Sequence, residues 1–334
     1  MTEKTLNMEM ANLVCRFGSK KVLLDLEEEV VLPSFFDDSL IREYDKTSYF
    51  FYDVKAVKLE DKGEVFVGLA GRFIKDTTLE REQIFDRKNG LVQDSNSMKS
   101  SPSAIFLLIL NNHRLIYVKE TKNAPSKETF RSTLLSFLRV KHKQFVESEY
   151  LKNKEDPENN ITKKSLYEAY PKPTLELISL TSDDSIESFV RNYETLKHIE
   201  ISLSDRNDET DNDPFFEQLQ KRKDDLGSDK SVVQHRNSKG LDKEKAIAEI
   251  REATAQGNQK VKLNGVDSDG DVLRGNNEEF QLRRPLEELS KLPSKAAEQL
   301  YETFKSLIDD GFVKVPSTSE KAKDIVKKIA GRFF

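Results

Sequence analysis

The chain of 334 residues has one cysteine, Cys15. No disulfide can close within it, and a zinc site built from cysteines is excluded. A reducing, cytoplasmic setting fits that usage. Long apolar runs are missing as well. The longest, AIFLLIL (104–110), falls far short of the ~20 residues that cross a bilayer. The opening MTEKTLNMEM carries acids where a leader would carry an apolar core, so a soluble protein is expected. Nor does one sign of charge dominate. Lys+Arg number 54 against 59 Asp+Glu, a net of −5 at pH 7, which argues against a surface that binds nucleic acid everywhere and leaves room for local basic stripes.

The usual catalytic signatures are also lacking. There is no GxSxG elbow, no P-loop and no GxGxxG, so acyl transfer, NTP hydrolysis and dinucleotide binding have no familiar scaffold. His113, His142, His198 and His235 are scattered without a metal-binding spacing such as HExxH. An enzyme becomes less expected, and no cofactor is called for.

What is present reads as an α+β chain: a β-rich N-terminal domain with a long helix, then a mixed α/β domain, then C-terminal helices. KVLLDL (21–26), YFFYDVKAVKLE (49–60) and EVFVGLAGRFI (64–74) are rich in β-branched and aromatic residues, with a turn at Asp61, Lys62 and Gly63. The polar run 86–103 reads as a mobile loop. AIFLLIL and HRLIYVKE flank Asn111 and Asn112, residues that tolerate the positive φ of a tight hairpin. After Pro125 and Ser126, the spacing of Phe130, Leu134, Phe137, Leu138 and Phe145 predicts a long amphipathic helix. These elements make a first domain over 1–151, and 152–173 is a linker. Strands at TLELISL, HIEISL and SVVQHR alternate with helices through 174–286, and two helices fill 287–334. Two domains fit the length.

Three kinds of candidate site stand out. Asp267, Asp269, Asp271 and Glu278 have the spacing of EF-hand ligands at positions 1, 3, 5 and 12. Val272 stands where that loop needs glycine, and Val261, Leu263, Phe280 and Leu282 alternate as in strands, so turns are expected instead of a calcium site. Glu120 and Lys122 form an E-x-K at a strand end, the carboxylate and lysine that a metal-dependent nuclease would use, although no aspartate is supplied by the neighbouring strand. Basic clusters could contact phosphate: Arg139, Lys141 and Lys143; Lys163 and Lys164; Lys221, Arg222 and Lys223; Arg283 and Arg284; and Lys321, Lys327, Lys328 and Arg332.

The order of elements from 104 to 286 resembles the RexA-like phage-exclusion proteins. The hairpin AIFLLIL-NN-HRLIYVKE leads through Ala124, Pro125 and Ser126 into a helix, and a later strand–helix run ends in LRRPL. The resemblance implies a dimeric protein that binds double-stranded DNA with little sequence preference, acts in antiviral defence, and leaves the effector step to a separate small membrane protein. No catalytic residue carries over. Asp205, Asp208, Glu209, Asp211 and Asp213 follow HIEISL where the family is basic, so that loop is a poor phosphate contact. The alternatives are a defence nuclease built on Glu120 and Lys122, and an adaptor subunit of a defence complex.

Overall fold

The computed structural model describes residues 5–61, 63–154, 161–207, 213–316 and 318–334. In chain order, the first part contains β1 (Leu6–Phe17), β2 (Lys21–Val22), α1 (Leu32–Phe36), β3 (Arg42–Tyr44), β4 (Thr47–Asp61) and β5 (Glu64–Glu80). There follow β6 (Gln83–Asp86), β7 (Gly90–Gln93), β8 (Ser97–Ser100), β9 (Ser103–Ile109), β10 (Arg114–Lys119) and α2 (Lys127–Lys154). Next come α3 (Lys163–Ala169), β11 (Pro173–Ser179), α4 (Asp183–Arg191), β12 (Thr195–Leu203), α5 (Pro214–Asp225) and β13 (Ser231–Arg236). The last part holds α6 (Lys243–Thr254), β14 (Gln259–Val266), β15 (Val272–Asn276), β16 (Arg283–Leu286), α7 (Pro293–Asp309) and α8 (Glu320–Phe333).

β1 is the hub. It pairs antiparallel with β10, β11, β16 and β2, so strands far apart in sequence converge on it. The resulting 10-stranded sheet runs β11-β1-β10-β9-β5-β4-β3. One face is packed by α1, α2 and α8, with Phe35, Phe51, Phe73, Phe106 and Phe130 stacked and tilted against one another. On the other face, Ala296, Leu300, Phe304 and Leu307 of α7 cover Met8, Met10, Ile105 and Leu107. The α+β class is therefore as the sequence predicts.

A smaller 4-stranded sheet, β13-β12-β14-β15, packs α4, α5 and α6 on one side. Its closeness of fit demands glycine at 275, where a Cβ would come 2.1 Å from the Phe189 ring. The strands TLELISL and RRPL, read from sequence with this unit, pair instead with β1. Two polar clasps hold the units together. Buried Arg114 donates from Nη1 to Asn12 Oδ1 (2.7 Å) and from Nη2 to the Gln256 carbonyl (3.1 Å), while Asn207 Nδ2 donates to Leu13 O (3.0 Å). Buried Lys127 donates to Ser179 Oγ (2.6 Å) and Gln281 Oε1 (2.7 Å), with Glu9 and Glu278 at 3.5 and 3.4 Å.

Local expectations fail where side chains override the pattern. KVLLDL is a strand only at Lys21 and Val22. Asp25 then accepts the Val22 N–H (2.9 Å) and the chain turns helically, burying Leu23, Leu24 and Leu26 together, which a two-faced strand could not do. In the 104–119 hairpin the positive φ falls on His113 (φ 55). The asparagines act through their side chains: Asn111 Oδ1 accepts from Val67 N (2.9 Å) and Asn112 Oδ1 from Arg114 N (3.3 Å). The run 86–103 contains β7 and β8 in place of a loop, because Asp86 Oδ1 accepts from Lys88 N (2.9 Å) and Asn89 N (2.8 Å) and closes a tight turn. Within 152–173, residues 163–169 form a helix capped by Thr162, and 155–160 lie outside the described residues.

Candidate nucleic-acid interface

Alternation in β12 and β14 decides which side chains meet the small sheet's helices. Ile199, Ile201, Leu203, Val261 and Leu263 point to that core. The opposite face follows from the register. Glu200 stands beside Lys262 and Gln234, His198 beside Asn264 and Arg236, and Asn264 beside Arg274. With Lys260 one row over, the outward face carries four cations, Arg236, Lys260, Lys262 and Arg274, against one carboxylate, Glu200. The amides of Gln234, Asn264 and Asn276 complete it.

Not all of that charge is available. Lys260 is held by Glu176 of β11 at 2.9 Å, both half-buried. Lys262 reaches Glu200 at 3.3 Å from an exposed position. Burial works against ionising Glu200, yet the Lys262 hydrogen bond and the charges of Lys262, Lys230 and His198 hold its carboxyl below the ordinary range. Arg236 and Arg274 are exposed and have no ion pair among the described residues. Toward β11 the face forms one wall of a groove of about 580 Å³, in which Lys260, Lys262 and Arg274 share the lining with Glu128, Glu200, Glu278 and Glu279. Those acids oppose phosphate inside the groove, so the anion-attracting surface is the solvent-facing part of the sheet at Arg236, with Lys262 and Arg274 exposed at the groove's edge.

The cations expected from sequence divide into two groups. Lys141 is hydrogen-bonded to the Asp37 carboxylate, and Lys163 lies 2.6 Å from Glu147 with its ammonium over the Tyr150 ring. Lys164 is 4.0 Å from Glu168, Lys223 is buried 2.7 Å from Asp205, Lys321 is 2.5 Å from Asp25, and Arg332 lies between Glu27 and Glu28. These charges are locally neutralised. Arg139, Lys143, Lys221, Arg222, Arg283, Arg284, Lys327 and Lys328 are exposed without an ion pair among the described residues. They sit on α2, α5, β16 and α8, separate elements of the fold. Of the acidic run after β12, 208–212 lie outside the described residues; Asp205 pairs with Lys223, and Asp213 caps α5.

Glu120 is occupied. Arg72 grips both of its oxygens at 3.0–3.2 Å and Ser103 Oγ donates to it at 2.7 Å, while Lys122 is exposed on the following turn. A metal would have to displace a bidentate guanidinium. The aspartates 267, 269 and 271 form the β14–β15 turn, where Asp267 Oδ1 accepts from Asp269 N (3.0 Å) and Asp271 N (2.9 Å). Glu278 lies beyond β15, bonded to Ser179, so the four carboxylates do not converge. Among the described residues no group of three or more His, Cys, Asp or Glu is arranged to hold a metal.

The outward cations of the small sheet are the residues that charge runs miss. Their signal is alternation: in QKVKLNGV, the lysines fall between apolar residues at a two-residue period, which places both on one face. Neither a known protein family nor a curated protein matches the chain.

Proposed function

We propose that the protein is a non-catalytic, double-stranded DNA-binding protein that meets the sugar–phosphate backbone with the outward face of β12–β15. The observation that carries this reading is the composition of that face. Arg236, Lys262 and Arg274 are exposed among Gln234, His198, Asn264 and Asn276, with α4, α5 and α6 all on the opposite side. Guanidinium groups suit phosphate because their donors form a planar fork. The neighbouring amides can donate to phosphate oxygens, contacts that position a duplex without reading its sequence. Exposed cations elsewhere, such as Lys327 and Lys328, widen the attractive field. A role in antiviral defence beside a separate effector rests on the layout resemblance of 104–286 to RexA-like proteins.

The test is a triple charge reversal, Arg236→Glu with Lys262→Glu and Arg274→Glu, compared with Lys327→Glu plus Lys328→Glu. All five side chains are exposed, and circular dichroism checks that each variant folds. Electrophoretic shift of unrelated duplexes should be lost in the triple variant and only weakened in the double. Equal loss in both would place the interface elsewhere.

A further inference from the structure

Helix α5 carries polar residues where its packing calls for apolar ones. Its buried side chains are Phe216, Gln220 and Lys223, spaced four and three residues apart on one face. Phe216 enters the core of the small sheet, yet Gln220 and Lys223 are only 4 % and 2 % exposed. Burying an amide and an ammonium is costly, so this face answers a demand other than packing.

Both side chains line a cavity of about 870 Å³ where three parts of the fold meet. The small sheet supplies α5 and residues 205–207, the large sheet supplies Arg16 and Lys172 at the ends of β1 and β11, and Thr318 and Ser319 lead into α8. Among the described residues every lining residue is polar or glycine.

The buried part of this lining has unused hydrogen-bonding capacity. Asn207, 4 % exposed, donates from Nδ2 to Leu13 O (3.0 Å) and Asn12 Oδ1 (3.2 Å), which orients the amide, and its Oδ1 is buried without a partner. Gln220 Nε2 donates to Asp224 Oδ1 (3.0 Å), and its Oε1 has no partner among the described residues. Lys223 Nζ donates to Asp205 (2.7 Å) and lies 3.9 Å from Asp224, too far for a second hydrogen bond. Two open acceptors therefore stand beside an open donor. A hydroxyl meets both needs, since it donates and accepts.

Charge adds a second requirement. Lys223 is balanced by Asp205, and Arg206 by Glu217 at 2.6 Å. Arg16 is not balanced: it donates to the carbonyls of Arg206 (2.7 Å) and Ser19 and has no ion pair among the described residues. Lys172 is exposed and likewise unpaired, against one unpaired lining carboxylate, exposed Asp229. Ser319 caps α8 on the same wall, and first-turn N–H groups favour an anion.

We propose that this cavity binds a phosphorylated sugar, free or as the ribose phosphate of a nucleotide. The hydroxyls meet Asn207, Gln220 and Lys223, and the phosphate meets Arg16 and Lys172. No aromatic ring lines the cavity among the described residues, so recognition rests on sugar and phosphate and not on a stacked base. The site shares no residue with the proposed DNA contacts Arg236, Lys262 and Arg274, so either assignment can fail alone.

Calorimetric titration of the full chain with ribose 5-phosphate, adenosine monophosphate, ribose and inorganic phosphate tests this. Ribose 5-phosphate or the nucleotide should bind at least about tenfold more tightly than ribose or phosphate alone, as one charge-assisted hydrogen bond is worth about that factor. The tighter of the two identifies the source. Lys172→Glu, at an exposed position, should weaken the phosphorylated ligand about tenfold and leave ribose unchanged, whereas Gln220→Met should weaken both. If Gln220→Met does not fold, Lys172→Glu decides. No binding of either phosphorylated ligand, equal binding of inorganic phosphate, or a Lys172→Glu variant that binds as the wild type does, overturns the proposal.

Discussion

Replacing Lys127 by methionine separates a structural clasp from a surface ornament. The lysine is buried at the start of α2, donates to Ser179 of β11 and Gln281, and lies between Glu9 of β1 and Glu278. Methionine keeps most of the volume and removes the charge. Glu9, itself mostly buried, then keeps a carboxylate with its cation gone, while Glu278 is half in solvent and loses little. Removing one partner of a buried pair costs about 3–5 kcal/mol. Solvent access at Glu278 places the expected loss at the lower end, about 3 kcal/mol. Adding Glu9→Gln removes the stranded charge, so the double variant should be more stable than Lys127→Met alone. Urea unfolding of the three proteins at pH 7 measures this. A loss below about 1 kcal/mol, or a double variant weaker than the single, would refute the reasoning.

The pH dependence has a definite sign. Burial pushes the Lys127 ammonium below its ordinary value, and the charges of Glu278 and Glu9 only partly oppose this. The unfolded chain then holds that proton more tightly in the window just below 10.5. Wild-type stability relative to Lys127→Met should rise as pH climbs through that window.

Cys15 is fully buried and its thiol is pushed up to about 12 by desolvation, so it should resist alkylation in the native protein and react fully in denaturant; rapid native labelling would contradict its place in the core. The Lys141 hydrogen bond, then those from Ser39, holds the Asp37 carboxyl down to about 2 from 3.8. That stabilisation is present above 3.8 and lost as pH falls toward 2, so the thermal-stability gap between wild type and Asp37→Asn should shrink over that range; a constant gap would contradict it.

Elements whose period matched their surroundings were legible in the sequence. α2, α6, α7 and the β4–β5 hairpin lie close to where apolar spacing and turn residues put them. β1 escaped because a strand covered on both faces does not alternate, and its burial is continuous through its centre. The joining of β11 and β16 to β1 is a long-range pairing that no local period encodes. Charge runs did not show which cations are paired. Lys223 and Lys141 look like their neighbours in sequence, yet Asp205 and Asp37 reach them from distant segments. The alternating Lys260 and Lys262 were readable as a strand face, but Arg236 and Arg274 come beside them only through the sheet register.

The claim that the outward face of the small sheet holds DNA by phosphate contact is tested most directly by anisotropy of a short labelled duplex across salt. Arg236 and Arg274, the cations of that face without an ion pair among the described residues, at about 0.9 released counterions each, give a log–log slope of about −1.8. Raising salt from about 50 to 200 mM should therefore weaken binding about 12-fold, equally for unrelated sequences. Binding that is absent at the lower salt, or unchanged at the higher, would contradict the account.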